Sequence, residues 1–451
     1  MNPTQKIAEF ITTFDTDDIP LEAVEAIKKS LLDYTGSTLA GLTDESTVIV
    51  RSMVEGFGGT PQATVWGTRQ KTAVVFAAMA NGTAAHALDY DDTNMVMMSH
   101  PSIQLLPALF AMAEYEKASG KEIIQAYLIG FEVGGMLGRA MNPEFVGQGW
   151  FPVGPLGVIM QTAACAKLLN LNPDQVERAL GIAANQAAGL RCNNGTMAKP
   201  FTPGNSAANA IMSTMLAMEG MSANTKALED QFGFVENFSR NQIDRLEKAV
   251  ETLGSPLEIL QQSGFSYKLY PCCAGTHTAI ECSLDIVRNH PIDPETIQEI
   301  AVYINPGVQF LLIHPRPKTE MEAKFSMEYC VARAILDRDI GPDQFTSQKV
   351  WDPSIQALIE KVKPCWEDNR MMDVKIDVRM NGGKSYSSEV EQARGMPGNS
   401  LEWSDLEKKF LKCTRNILPE RETQEKLNNL KHFDQLDDIS RFVSFKCVSG
   451  L

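Results

Sequence analysis

The 451-residue chain has no apolar run near the roughly 20 residues a membrane span needs, although 44% of its residues are hydrophobic. Its start, "MNPTQKIAEFITTFD", lacks the basic and long apolar stretches of a secretory signal and reads as amphipathic helix, so the expected location is the cytoplasm. Basic residues are outnumbered: 41 Lys and Arg face 56 Asp and Glu, a formal net charge of −15. That balance argues against a nucleic-acid partner or an anionic membrane surface. The nine cysteines, an odd number, include no CxxC pair, which argues for reduced thiols and offers no zinc or iron–sulfur spacing. Internal repeats and low-complexity tracts are also missing. What remains is a chain of globular composition, long enough for two domains.

From about residue 4 to 260 apolar residues recur at three- and four-residue spacing, which predicts helices over 20–42, 72–90, 103–117, 121–140, 154–169, 174–189, 205–220 and 239–252. Alanine and glycine dominate their contact faces, favouring close helix packing. The pattern changes after "SGFSYKLYPCCAGTH" (263–277). Helices at 275–289 and 320–336 flank an alternating, strand-like "IQEIAVYIN" (297–305), and "MMDVKIDVRMNGGKSYSSEVEQ" (371–392) alternates on both sides of Asn-Gly-Gly as a hairpin does. From 401 the helical pattern returns. The expected architecture is mainly α: a large helical domain from 1–264 with 396–451, a smaller α+β domain from 265–395, and a site in the cleft between them.

Only six histidines occur, and one lies in "ALDYDDTNMVMMSHPS" (87–102) with Asp89, Asp91, Asp92 and Thr93. If the helix beginning near 72 continues to about 93, His86, Asp89 and Thr93 share one face. A carboxylate beside His100 would fix the imidazole tautomer and raise its basicity, the pairing a general base needs. The plainer reading is that the aspartates cap helix ends. A metal reading is weak, because no second acidic cluster completes a site. A second stretch, "RCNNGTMAKPFTPGNSAANA" (191–210), sets Lys199 before a helix starting near Asn205, where dipole and charge together attract an anion; an ordinary surface loop is the alternative. In a third, "SYKLYPCCAGTHTAIEC" (266–282), Lys268 sits among Tyr267, Leu269 and Tyr270, which favours a desolvated clamp. Adjacent Cys272 and Cys273 read as packing residues, and His277 alone reads as a satisfied helix histidine.

Together these stretches, with "NGTAAHALDYDDT", "SHPS", "YKLYPCCAGTH" and "EAKFSMEYCVARAIL" (322–336), resemble the MmgE/PrpD family, which includes 2-methylcitrate dehydratases, cis-aconitate decarboxylases and iminodisuccinate epimerases. The resemblance implies an all-helical domain built from both chain ends, an α+β lid, a homodimer, and a site free of cofactor and metal. By motif position it implies catalytic roles for His100, Asp89, Lys268 and His277, and substrate contacts from Thr93 and Lys199. Three positions depart from the family pattern: Phe151, with Val153, where a His-Pro-Thr stretch is usual; Thr202 where a His is common; and His314 where a Tyr is frequent. Phe151, Thr202 and His314 are therefore expected to line the substrate, Phe151 as an apolar wall suited to an alkyl group.

The implied reaction is a lyase reaction on a small di- or tricarboxylic acid: His100 moves a proton at the carbon next to a carboxylate while water or CO₂ leaves. An epimerase using two groups on opposite faces, and a binding homologue without turnover, are the alternatives.

Overall fold

A computed structural model describes residues 1–15, 19–261, 265–445 and 447–448; residue 264, where the first expected domain boundary falls, lies outside them. The fold is mainly helical, as the periodicity predicts, with a four-stranded sheet and a two-stranded one, Ala63–Thr64 with Lys71–Thr72, among the described residues. Among the described residues no helix is long and apolar enough to cross a membrane.

Buried apolar side chains form two principal bodies. The larger includes Ile7, Leu31, Leu109, Tyr127, Ile159, Tyr267, Phe410 and Phe442, so both chain ends contribute to it. At its centre lies the Gly120–Met141 helix, buried along most of its length and opened by a capping box between Ser119 and Glu122. The Trp403–Thr414 helix returns to pack on the Leu21–Ala40 helix, where Phe410 fills the space that a side chain at Gly36 would need. The second body includes Tyr270, Ile280, Val302, Tyr329 and Ile376. The chain passes from one core to the other between Tyr267 and Tyr270. It returns beside the same point, with the Tyr267 amide donating to the Gly395 carbonyl at 2.8 Å.

The second body builds a four-stranded sheet in the order Val362–Trp366, Ile297–Ile304, Val374–Met380, Ser385–Val390. The predicted hairpin is present, and Gly382 and Gly383 take positive φ in its turn. The Val362–Trp366 strand escaped sequence analysis because Pro364 reads as a breaker. It lies at the sheet edge, parallel to Ile297–Ile304, where a missing donor is tolerated.

Several helix expectations need correction, among them the single helix at 320–336, which is two, Glu320–Ala323 and Met327–Asp337, separated where Ser326 caps the second. The helix placed at 72–90 runs over Val74–His86 and stops, with Asp89 in the left-handed region at φ 51. The helix placed at 205–220 starts at Ala198, so Lys199 lies in its first turn; Pro200 also falls there, where an amide hydrogen is not needed, whereas Pro203 lies inside the helix and leaves the Lys199 carbonyl without the usual amide donor four residues on. The 239–252 helix is broken by Arg240 and Asn241, both at positive φ, into Phe234–Ser239 and Ile243–Val250.

Candidate active site

Two helices meet at glycines. A Cβ on Gly82 would lie 2.7 Å from Gly204 Cα, and one on Gly204 would lie 2.1 Å from the Met79 carbonyl oxygen. This contact joins the Val74–His86 and Ala198–Met218 helices and sets the end of the first beside the start of the second. His86 and Lys199 therefore meet, Lys199 Nζ standing 2.8 Å from His86 Nε2.

Beyond His86 the chain turns and folds back. Asn94 and Ser99 pair through both backbone groups at 2.8 and 3.2 Å, and the Asp92 carboxylate accepts the Ser102 amide at 3.0 Å and also holds the Ser102 hydroxyl. The loop is closed in this way, and His100 lies against the turn it left. The His86 and His100 rings pack edge to face with centroids 4.6 Å apart.

The three aspartates have separate surroundings. Asp89 is bracketed by two ammonium groups, Lys199 Nζ at 2.6 Å from Oδ1 and Lys268 Nζ at 3.1 Å from Oδ2. Burial alone would raise its pKa, but the two lysines hold it well below the usual carboxylate range. Asp91 lies between two imidazoles, with Oδ1 at 2.8 Å from His86 Nδ1 and Oδ2 at 2.8 Å from His100 Nδ1. The second contact has ion-pair distance but is out of line for a good hydrogen bond. Asp91 too stays well below the carboxylate range in spite of burial, because both histidines favour its anion. Asp92 is pushed well above that range by burial, with Asp33 and Asp91 adding to the effect, and serves the loop.

These contacts define a proton inventory. Lys199 donates to His86 Nε2, which leaves the His86 proton on Nδ1, facing Asp91. His100 presents Nδ1 to the other oxygen of Asp91, leaving Nε2 with a lone pair 3.9 Å from Asp89 Oδ1. Burial lowers the His100 imidazole against the pull of Asp91, so it is neutral at pH 7. Its side chain is 12% exposed while those of Asp89, Asp91, His86, Lys199 and Lys268 are at most 4% exposed, so His100 is the member that a reactant can reach. One wall is apolar: Phe151 stacks on His86, and Phe151 and Phe325 face Lys199 Nζ at 5.5 and 5.2 Å.

The same His86, Asp89, Asp91 and His100 atoms lie within 4.8 Å of one another and have the donor types of a metal site. Both oxygens of Asp89 are already met by ammonium groups, and a cation there would face Lys199 and Lys268 directly. The donor set suits a proton network better than a cation.

Of the residues singled out in the sequence, Asp89, His100, Lys199, Lys268 and Phe151 come together. Thr93 adjoins them through its backbone, paired both ways with Ser266 at 2.8 Å. His277 is placed elsewhere: buried in the second body, it packs on Tyr270 and its Nε2 lies 3.3 Å from the Cys272 carbonyl. Thr202 turns back along its helix to the Ala198 carbonyl at 3.1 Å, and its methyl group lies beside Gly154 and Gly189. His314 rests on Gly195. Asp91 Oδ2, at 2.8 Å, stands nearer to His100 than Asp89 Oδ1, at 3.9 Å, because the chain reverses at Asp89 instead of continuing as helix. Sequence reasoning passed over Asp91 and Phe325, and noted His86 only as a neighbour on a helix face. A surface groove of 590 Å³ lined by Asn185, Asn224, Asn237 and Phe238 contains no ionisable side chain and none of these residues.

Comparison with known proteins gives two family matches: the MmgE/PrpD N-terminal domain over residues 5–246 and the MmgE/PrpD C-terminal domain over residues 270–434. Curated relatives include the cis-aconitate decarboxylase of Homo sapiens, 26% identical over 97% of this chain and 93% of that protein. Those of Mus musculus and Aspergillus terreus are 27% and 26% identical, each over 97% of this chain and 92% and 94% of the relative.

Proposed function

The chain belongs to the MmgE/PrpD family, and from that premise we propose that it is a lyase acting on a small di- or tricarboxylic acid, with decarboxylation of a cis-aconitate-like substrate as its reaction. The observation that carries this reading is the His100–Asp91 pair: a neutral, reachable imidazole with a carboxylate on its far nitrogen, flanked by two buried ammonium groups. His100 Nε2 takes a proton from the carbon beside a carboxylate. Asp91 stabilises the imidazolium that forms.

Charge developing on the substrate spreads into the carboxylate, where Lys199 and Lys268 supply the compensating field in a site with little water. The imidazolium returns its proton to the carbon chain; the carbon–carboxylate bond then breaks to release CO₂, and the electron pair it leaves on carbon takes up one further proton, drawn from solvent through His100. Dehydration uses the same proton transfer with water as the leaving group. The curated relatives, named as decarboxylases over nearly their whole length, favour CO₂.

Incubation of the protein with cis-aconitate, citrate, methylcitrate and aspartate-derived acids in D₂O, followed by NMR, tests the reading. Loss of CO₂ with deuterium in the product supports decarboxylation. Exchange into recovered substrate without release of CO₂ or water would replace it with epimerisation. No reaction with any member, under conditions where the protein is folded, would overturn the lyase reading.

A further inference from the structure

The turn after the Val74–His86 helix carries Asp89 and leads into Asp91, yet its own backbone is unfavourable. Asp89 has φ 51, a left-handed conformation that residues with a side chain adopt uncommonly, aspartate more readily than most. The turn is also buried, so its carbonyl groups need partners. In a continuing helix the Ala87 carbonyl would bond the amide four residues on. Here three carbonyls are each met by a buried lysine from a different part of the chain: Ala87 by Lys324 at 3.2 Å, Asp89 by Lys268 at 2.9 Å and Tyr90 by Lys409 at 2.5 Å.

The three lysines are almost fully buried, with Lys268 at 1% and Lys324 and Lys409 at 3% exposure. Lys268 sits on the crossover between the cores. Lys324 comes from the second body, and Lys409 from the C-terminal helix Trp403–Thr414. Lys409 is balanced by Asp33 at 2.7 Å and lies over the Tyr90 ring at 3.9 Å. No carboxylate lies within 4 Å of Lys324 among the described residues, so the Ala87 carbonyl is its recorded hydrogen-bond partner. A buried ammonium group is costly, and these stand where a neutral donor would serve the carbonyl alone. Their arrangement makes sense if the turn must be held in one strained shape while surrounded by positive charge.

We infer that Lys324 and Lys409 are positioning residues, which together with Lys268 clamp the 87–90 turn and thereby aim Asp89 and Asp91 at Lys199 and His100. Lys324 adds a further consequence. Because it reaches across from the second body, the catalytic turn keeps its shape only while the two bodies are closed on each other.

The catalytic half of this inference rests on the acid–base reading above, so the test has an arm that needs no substrate. Lys324→Met, Lys324→Arg and Lys409→Met are compared with Lys426→Met, which removes a buried lysine held by the Phe442 carbonyl and the Phe442 and Phe445 rings. Measurements are melting temperature, the pH titration of the His86 and His100 imidazoles by NMR in the free protein, and kcat, KM and the pH–rate profile on whichever acid the wild type turns over.

The expected result is a loss in kcat on the order of 10²-fold for Lys324→Met and Lys409→Met, as for a displaced catalytic group. KM changes much less, the imidazole titrations shift, and Lys324→Arg recovers part of the rate. Lys426→Met lowers the melting temperature but leaves kcat per folded molecule and the titrations as in the wild type. If Lys324→Met and Lys409→Met behave like Lys426→Met, the clamp is only structural and the inference fails. If the wild type turns over none of the acids, the function reading fails, and the NMR titrations alone decide the clamp.

Discussion

Asp91 Oδ2 lies 2.8 Å from His100 Nδ1, and through this contact a buried carboxylate holds a neutral imidazole with its other nitrogen free. Asp91→Asn should leave the fold intact while removing the charge that stabilises the imidazolium. Turnover is expected to fall by 10²–10⁴-fold, on the order of a lost general base, and His100→Ala should fall at least as far. Steady-state kinetics on the substrate identified by NMR checks both; wild-type rates in either variant would remove the pair from the mechanism.

Asp92 provides the contrast. It bonds Ser102 and not the histidines, so Asp92→Ala should loosen the loop that carries His100 without removing a member of the proton network. The Ser102 hydroxyl keeps Tyr127 at 2.9 Å, but leaving the Ser102 amide unpaired costs about 1–3 kcal/mol. A lowered melting temperature with kcat per folded molecule within a few-fold of wild type is the expected outcome.

Burial pushes the His86 imidazole down to about 4 against the pull of Asp91, and moves His100 in the same direction. An unfolded histidine binds its proton near pH 6.5. Between about pH 6.5 and 4 the unfolded chain therefore takes up protons that the folded chain refuses, and stability falls as pH falls. At about 1.4 kcal/mol per pH unit, His86 alone accounts for roughly 3 kcal/mol across that window. Asp92 and Asp33, both raised by burial, take up protons in the folded chain and oppose this trend, so the histidine share is read from His86 itself: by NMR its ring should stay neutral from pH 7.5 to pH 5, and protonation near pH 6.5 would contradict a neutral, buried imidazole.

The crossing at Gly82 and Gly204 sets the distance between His86 and Lys199. Gly204→Ala would put a methyl group 2.1 Å from the Met79 carbonyl oxygen, so the helices must separate, at a cost of about 1–3 kcal/mol. Activity should fall further than stability predicts. Gly56→Ala is the control, since its Cβ meets nothing within 4 Å and a helical alanine is favoured over glycine. Calorimetry and kinetics on the two variants separate helix spacing from helix propensity.

Phe151 forms the apolar wall beside His86 and Lys199. Phe151→His should shift preference within a panel of acids toward more polar members, by about 10-fold in the ratio of kcat/KM. An unchanged ratio would remove Phe151 from the substrate wall.

Much of this was legible in the chain. Helix periodicity predicted the mainly helical class, and alternation around Asn-Gly-Gly predicted the hairpin, because both depend on local spacing. Asp89, His100, Lys199 and Lys268 stood out by scarcity and context. His277 stood out equally by its motif, yet its contacts lie in the second core with Tyr270 and Cys272, since a helix start says nothing about which body will cover it. Lys324 and Lys409 gave no signal, because a buried lysine and a surface lysine are spelled alike.

The amino-acid sequence by itself determined the inventory: three aspartates, two of the six histidines and the scattered lysines, set on segments whose helical or extended character follows from side-chain period. Only the tertiary structure decided how that inventory pairs. Asp89 and Asp91 are two residues apart, but a left-handed φ at Asp89 turns one carboxylate to the lysines and the other to the imidazoles. Hydrogen-bond partners here lie as far apart as Lys409 and Asp33, separated by 376 residues. Such pairings follow from how the two cores pack, and local sequence carries no record of them.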